Sequence, residues 1–320
     1  MTHPIPSGTR DVLPDEMREL RAVGDALRAA FEARGYGEVA TPALEYEDVL
    51  QRGGQGAAAP AYRLFDEHGN VLVLRSDMTV PIARVAATRY AGDEPPLRFQ
   101  YLATSYRQVR PQRGHSREVL QAGIELLGSP APDGTAEALT VLCDGLDTTG
   151  LQDYRVGLGD ASLYPSLLAA AGVPDAARGP LLTELATRDF VGLEREVRAL
   201  GLSDPEAAVL VEAPQRRGGP EILEATHPAL EPAVEGLRRI LDLLPASARE
   251  RVILDLGLVR DLDYYTGAVF EVYDPALGVP LGGGGRYDDL LARFGRPLPA
   301  VGFALDVEAL HLALAGEERR

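Results

Sequence analysis

Near the start of the chain, apolar residues recur every three to four positions, which predicts an amphipathic helix from Pro14 to about Gly35. Proline suits the first position of a helix, and Asp15 and Glu16 would lie near the positive end of its dipole. The apolar stripe consists of Met17, Leu20, Gly24, Leu27 and Phe31.

Runs with strand character follow. A strand-like segment over 38–46 is interrupted by Pro42. Because proline cannot donate to a hydrogen-bond ladder, we expect this strand at an edge or an interface. Residues 98–107 and 118–127 form a predicted strand pair joined by a loop rich in arginine and glycine. The other predicted strands are 71–75, 153–158, 252–258, 268–273, 278–282 and 299–305, and the other predicted helices are 77–90, 135–146 and 307–315.

From about 160 to 249 the composition shifts to alanine, leucine, glutamate and arginine, broken by prolines. This composition indicates short helices joined by turns, as a separate layer or an insertion. The strands on either side, with mainly antiparallel spacing, predict an α+β fold rather than a doubly wound sheet.

The charge balance excludes several classes of function. The chain of 320 residues has 32 basic and 48 acidic residues, a net charge of −16, and every basic residue is arginine. Chemistry that needs lysine is therefore excluded, and nucleic acid would be repelled. The single cysteine, Cys143, cannot form an internal disulfide, and no histidine or cysteine spacing indicates a metal site. We expect a cytoplasmic protein without a membrane span.

Two segments in the first half hold dense polar residues. Asp77, in 74–79, would either cap a helix or receive an ammonium group. Four arginines lie within 107–117, which would form either a solvated hairpin tip or an anion site.

Two further segments lie in the second half. Residues 259–271 contain Arg260, Tyr264 and Tyr265 just before a predicted strand, and the tyrosines would either pack or bind a ligand. Residues 281–290 contain four consecutive glycines, which would form either a plain turn or a close approach of backbone to a ligand.

In their order and spacing these segments resemble the catalytic core of histidyl-tRNA synthetases. GTRDVLPDEM with the 14–34 helix resembles the family's dimer-forming first motif, and YRQVRPQRGHSREVLQAGIELLG resembles its second. VRDLDYYTGAVFE and GGGGRYDDLLARFG resemble its two histidine-specific signatures, and AVGFALDVEAL its third motif. The resemblance implies a class II synthetase-like antiparallel sheet flanked by helices over 1–320, with a helical insertion at about 160–249.

The ATP side of that pattern is degraded. The resemblance puts Arg107 on a phosphate, with Arg113 as a second residual anion-binding residue. The family's glutamate, loop arginine, adenine-stacking aromatic and terminal arginine are replaced here by Val109, His115, Val119 and Ala309. We therefore expect no aminoacylation, no catalytic residue and no cofactor. Because the sequence ends at residue 320, we also expect no anticodon-binding domain and no tRNA partner.

The amino-acid side is better kept. The resemblance implies that an ammonium group meets Asp77, Thr79 and Gln121, and that a carboxylate meets Arg260. An imidazole would meet Glu125, Tyr265 and Tyr287. These groups suit histidine, whose ring carries two nitrogens.

This combination resembles the regulatory subunits of short-form ATP phosphoribosyltransferase, which share the LRSDMTVPIAR pattern. The resemblance implies a homodimer within a hetero-oligomer that activates a separate catalytic subunit and mediates feedback by histidine. Two alternatives stay open: an atypical histidine-activating synthetase, which would exchange pyrophosphate into ATP, and a free-standing histidine sensor, which would have no protein partner.

Overall fold

The computed structural model describes residues 5–54, 61–108, 116–224, 226–259 and 264–320. The α-helices of these ranges are α1 (Pro14–Ala33), α2 (Glu47–Arg52), α3 (Thr79–Thr88), α4 (Asp133–Thr149), α5 (Leu163–Ala170), α6 (Asp175–Ala186), α7 (Phe190–Ala199), α8 (Asp204–Glu212), α9 (Glu231–Leu243), α10 (Ala246–Arg251) and α11 (Val307–Glu317). The strands are β1 (Gly37–Glu38), β2 (Leu44–Tyr46), β3 (Arg63–Phe65), β4 (Val71–Leu74), β5 (Leu97–Tyr106), β6 (Glu118–Leu127), β7 (Arg155–Asp160), β8 (Arg217–Gly218), β9 (Val252–Asp255), β10 (Ala268–Tyr273), β11 (Gly282–Arg286) and β12 (Ala300–Asp306).

Within the described residues, nine strands form one sheet in the order β1-β5-β6-β12-β11-β10-β7-β9-β8. The β1–β5 and β7–β9 pairs are parallel and the others are antiparallel. A second sheet has the order β2-β4-β3. The prediction of an α+β fold with mainly antiparallel pairing is confirmed.

The first helix begins at Pro14 as predicted, with Asp15 and Glu16 in its first turn. Leu20, Leu27 and other residues of its apolar face are buried with residues of α4, β6 and β12 in the main hydrophobic core. The helices α1, α4 and α11 therefore cover one face of the large sheet and leave the opposite face for the site described below.

The predicted strand-like segment over 38–46, interrupted by Pro42, is divided between the two sheets. The chain leaves the large sheet after the backbone N–H of Val39, which donates to Gln100, and enters the small sheet at Ala43, whose carbonyl accepts from Arg75. Pro42 lies between these two bonds, where the missing N–H costs nothing. The expected edge position is confirmed, because β1 and β2 each lie at the edge of a sheet.

The prediction of a strand over 278–282 is wrong, because the strand is the glycine run itself, Gly282–Arg286. This strand lies between β10 and β12 and pairs with both. A Cβ on Gly284 would lie 2.0 Å from the carbonyl oxygen of Gly302, so the pairing requires glycine at this position. The short elements α2 and β3 were not predicted, because no hydrophobic periodicity in the sequence indicates them.

The segment at about 160–249, which was predicted as a helical insertion and is called the insertion below, holds the helices α5–α9. The prolines fall largely at element starts; Pro205, for example, lies in the first turn of α8, beside a capping box between Ser203 and Glu206. Leu181, Leu193 and other insertion leucines are buried in the main core. None of the helices in the described ranges combines the length and apolar character needed to cross a bilayer.

Candidate functional site

A cavity of about 280 Å³ opens on the face of the large sheet that α1, α4 and α11 leave free. We call it the central cavity. Its walls come from the start of α3, from β5, β6 and β10–β12, and from the residues next to these strands. Lining residues include Asp77, Thr79, Tyr101, Arg107, Val119, Gln121, Tyr264, Tyr265, Glu271, Gly283, Tyr287, Gly302 and Asp306.

The floor of the cavity is made by glycines on neighbouring strands. The register places Gly285, Gly302 and Glu125 side by side, with Gly283 and Gly123 in the next row. Directly paired residues point to the same side of a sheet, so these positions share the cavity face. A Cβ on Gly302 would lie 1.9 Å from Oε2 of Glu125, and one on Gly285 would lie 2.8 Å from the Tyr265 ring. The glycines therefore provide the space that the functional side chains occupy.

Glu125 is the most deeply buried carboxyl group at the cavity, with 1% of its surface exposed. The Thr79 hydroxyl donates to its Oε1 at 2.7 Å, and the Tyr287 hydroxyl donates to its Oε2. Burial raises the pKa of Glu125 to about 8, although these two hydrogen bonds favour the charged form. Glu125 therefore holds a proton at neutral pH when no ligand is bound, and it can lose that proton to solvent when a ligand donates a hydrogen bond to the carboxylate.

Aromatic rings surround Glu125. The Tyr264 ring lies 5.6 Å from the Tyr287 ring, edge to face, and 5.0 Å from the Tyr265 ring. Burial raises the pKa of Tyr101, Tyr264 and Tyr287 well above the ordinary tyrosine range, and the nearby carboxylates add to the shift. These phenols thus stay protonated and can act as hydrogen-bond donors.

Asp77 caps a helix, which is one of the two roles that the sequence left open. Its Oδ1 accepts from the backbone N–H of Val80 at 3.1 Å, so it caps the first turn of α3. It also lines the cavity. Burial raises the pKa of Asp77, while the Val80 hydrogen bond and the charge of Arg107 oppose that shift. The hydrogen bond from Val80 thus fixes the orientation of the Asp77 carboxylate at the cavity wall.

Gln121 lies on β6 and is 94% buried, and its register partner on β12 is Asp306. Its Oε1 has no hydrogen-bond partner among the described residues, although the atom is buried. Buried polar atoms are almost always paired, so this one is available to accept from a ligand N–H.

The predicted basic residues are only partly described. Arg107 is exposed at the mouth of the cavity, and its charge acts on Asp77 and Asp306. Arg113 and Arg260 lie outside the described residues, as do Val109 and His115. The structure thus brings together Asp77, Thr79, Gln121, Glu125, Tyr265 and Tyr287 of the predicted amino-acid site.

Three lining residues were missed by the sequence prediction: Tyr101, Glu271 and Asp306. Tyr264, which the sequence left open as a packing or binding residue, also lines the cavity. Glu271 shows a usable signal, because it is a charged residue in an otherwise apolar strand. Asp306 accepts from the backbone N–H groups of Glu308 and Ala309, both at 3.0 Å, and from sequence it reads only as a helix cap.

Acidic groups dominate the described walls. Asp77, Glu271 and Asp306 line the cavity, and Arg107 is the described basic group that lines it. This balance favours a small ligand that carries an ammonium group and further N–H donors. In the described part of the chain, no cluster of three or more His, Cys, Asp or Glu side chains is suited to hold a metal ion.

Known proteins share this fold and much of the sequence. The profile of the histidyl-tRNA synthetase family matches residues 8–310. The ATP phosphoribosyltransferase regulatory subunit of Desulforamulus reducens is 39% identical over 313 residues, which cover 96% of this chain and 78% of that protein. Its counterpart in Moorella thermoacetica is 40% identical over 316 residues, covering 97% and 81%. The chain belongs to the family of ATP phosphoribosyltransferase regulatory subunits.

A solved structure agrees with this membership. The protein from Bacillus halodurans described as an ATP phosphoribosyltransferase regulatory subunit/histidyl-tRNA synthetase superposes with a TM-score of 0.89 at 33% identity. The match covers 98% of this chain and 84% of that one. The class II synthetase-like fold expected from the sequence is therefore confirmed, and the family assignment places the chain in histidine biosynthesis.

Proposed function

We propose that this protein is a non-catalytic regulatory subunit that binds histidine in the central cavity and controls a separate short-form ATP phosphoribosyltransferase catalytic subunit. It activates that subunit and mediates feedback by histidine in the first step of histidine biosynthesis. The observation that carries the proposal is the buried cluster of Glu125, Thr79 and Tyr287 in a cavity of amino-acid size, in a chain whose relatives are regulatory subunits.

The chemistry of histidine matches the cavity. Its ammonium group would donate to Asp77 and to the unpaired Oε1 of Gln121. Its ring N–H would donate to Glu125, which then becomes ionised, while Tyr265 contacts the ring. We assign its carboxylate to Arg260 on the family resemblance alone.

The ATP side supports a non-catalytic role. Val119 lines the cavity, and the family resemblance assigns it to the position of the aromatic residue that stacks on adenine in the synthetases. The same resemblance assigns Ala309 to the position of the arginine that binds the terminal phosphate of ATP. Arg107, and Arg113 by sequence, remain as residual anion-binding groups. The synthetases' other ATP-binding side chains are replaced, so the charge-assisted hydrogen bonds that would hold the three phosphates of ATP are lost.

Regulation then requires contacts with the catalytic subunit that differ between its active and inactive states. We propose that the chain acts as a homodimer within a hetero-oligomer in the cytoplasm and does not bind tRNA, which its net charge of −16 disfavours.

The test is co-expression with the short catalytic subunit, followed by affinity purification and assay with and without histidine. We expect co-purification, a higher rate than the catalytic subunit alone, and inhibition by histidine. A catalytic subunit that neither binds this chain nor changes its rate would refute the proposal.

Histidine binding is tested separately by calorimetry. Tyr265→Phe, which removes only a hydroxyl group, should weaken binding about tenfold, the effect expected for one lost hydrogen bond to a polar ligand. The matched control is Tyr46→Phe, because Tyr46 is exposed on β2. Equal affinity of wild type and Tyr265→Phe would count against this cavity as the histidine site.

A second candidate, a histidine-activating enzyme, is favoured only by the dual description of the Bacillus halodurans structure. Histidine-dependent exchange of pyrophosphate into ATP would support it. We expect no exchange.

A further inference from the structure

A series of polar contacts connects the wall of the central cavity to the insertion. Glu271 lines the cavity, and the Tyr273 hydroxyl donates a hydrogen bond to its Oε2. The two residues are two positions apart on β10, so their side chains lie on the same face of the sheet. Tyr273 therefore restrains a carboxylate that faces the ligand space.

The Tyr273 ring packs against β7 on one side and against Arg217 on the other. A Cβ on Gly157 would lie 3.1 Å from the ring, so glycine at that position makes room for it. The guanidinium carbon of Arg217 lies 5.6 Å from the ring centroid. Burial and the bond to Glu271 raise the pKa of Tyr273, whereas the nearby charge of Arg188 opposes that rise.

Arg188 belongs to the insertion and lies in the turn between α6 and α7. Its φ of 55° is the one positive value for a non-glycine residue in the described chain. Its guanidinium donates to Oδ2 of Asp255 at 2.7 Å, and Asp255 is almost fully buried. Such backbone strain persists where the surrounding contacts fix the conformation, and here those contacts are Asp255 and Tyr273.

Asp255 and Glu271 lie on one face of the sheet. Glu271 pairs with Gly157, which pairs with Ile253, and Asp255 is two residues beyond Ile253 on the same strand. Arg188 of the insertion therefore lies on the same face of the sheet as the cavity. Its guanidinium contacts both the buried carboxylate of Asp255 and the hydroxyl of Tyr273, which is hydrogen-bonded to Glu271.

We propose that Tyr273 and Arg188 are positioning residues that hold Glu271 at the cavity wall, so that a residue of the insertion sets how tightly the cavity binds an amino acid with a positive charge. This inference rests on the proposed histidine site and adds the means by which the insertion controls it. Glu271 supplies negative charge beside the ligand, while Tyr273 and Arg188 act only through it.

The test is calorimetric titration of the full chain with L-histidine. Glu271→Gln should weaken binding about tenfold, and Tyr273→Phe about fivefold, because each removes or loosens one charged contact. Arg188→Ala should resemble Tyr273→Phe, and Arg188→Lys, which keeps the charge, should restore part of the affinity. The control is Arg195→Gln, which removes an exposed arginine of the same insertion and should leave the affinity unchanged.

A double-mutant cycle separates positioning from a general structural effect. If Tyr273 acts through Glu271, the Glu271→Gln/Tyr273→Phe double variant should bind histidine no more weakly than Glu271→Gln. If the loss of histidine affinity in the double variant equals the product of the two single-variant losses, the two residues act independently and the inference is overturned. Tyr273→Phe leaves the Arg188–Asp255 ion pair intact, so its result does not depend on whether Arg188→Ala folds.

The two proposals fail in different ways. If wild type binds no histidine, the proposed site fails and this inference falls with it. If wild type and Tyr265→Phe behave as proposed but Tyr273→Phe and Arg188→Ala bind histidine as tightly as wild type, only the link to the insertion is refuted.

Discussion

Replacing Glu125 by glutamine should stabilise the ligand-free protein at alkaline pH and at the same time weaken histidine binding. The carboxyl group is buried, and the Thr79 and Tyr287 hydroxyls donate to its two oxygens. Glutamine has nearly the same shape and cannot ionise. It keeps a carbonyl acceptor for one hydroxyl, and its N–H group can donate to the other after that hydroxyl turns.

The magnitude follows from the pKa of Glu125, which burial raises from 4.5 to about 8. Between these values the folded protein holds a proton that the unfolded chain has released, so stability is greatest below the lower value and falls as the pH rises toward the upper one. The complete loss corresponds to about 5 kcal/mol, since one pKa unit is worth about 1.4 kcal/mol. In the glutamine variant, turning one hydroxyl group costs about 1 kcal/mol. The variant should therefore exceed wild type in free energy of unfolding by about 2–4 kcal/mol at about pH 9.

The assay is urea unfolding of wild type and Glu125→Gln without ligand, at about pH 5 and about pH 9. We expect similar stabilities at the lower pH and a more stable variant at the higher pH. Glu118→Gln, at the exposed start of the same strand, is the control and should show no pH-dependent difference. A Glu125→Gln variant that is less stable than wild type at about pH 9 would refute the reasoning from burial.

The same variant should bind histidine at least about tenfold more weakly, because a charged acceptor for the ring N–H is lost. Wild-type affinity should rise with pH as Glu125 ionises, and proton release should accompany binding near neutral pH. Calorimetry in buffers of different ionisation enthalpy measures that release. Binding without proton release would mean that Glu125 is already ionised before histidine binds.

Three further predictions concern the framework of the cavity, each measured by urea unfolding. Gly302→Ala should destabilise the fold by at least about 2 kcal/mol, because its Cβ would meet Glu125 at 1.9 Å; unchanged stability would mean that the strands separate easily. Asp306→Ala should cost about 1 kcal/mol through the lost cap of α11, and a negligible cost would show that solvent replaces the cap. Phe270→Ala should cost about 3–5 kcal/mol because the ring is fully buried, and a cost below about 1 kcal/mol would contradict that packing.

Elements with strong local patterns could be predicted from the sequence. The stripe that begins at Pro14 gave α1, and the apolar runs on either side of the arginine-rich loop gave β5 and β6. Patterns failed where a partner strand decides the structure. Nothing local distinguishes Gly282–Arg286 from a turn, because the strand exists only through its bonds to β10 and β12.

The sequence by itself determined the class of fold and the excess of acid over base, because periodicity and composition are properties of the chain alone. Six described residues at the cavity were indicated by the resemblance of its motifs to a known family. Only the tertiary structure decided which carboxyl group is buried, which glycines open the floor, and that Arg188 of the insertion stands next to Tyr273. These features depend on the distance between residues far apart in the sequence. The proton held by Glu125 is one example, since its cost depends on what surrounds the side chain rather than on which residue it is.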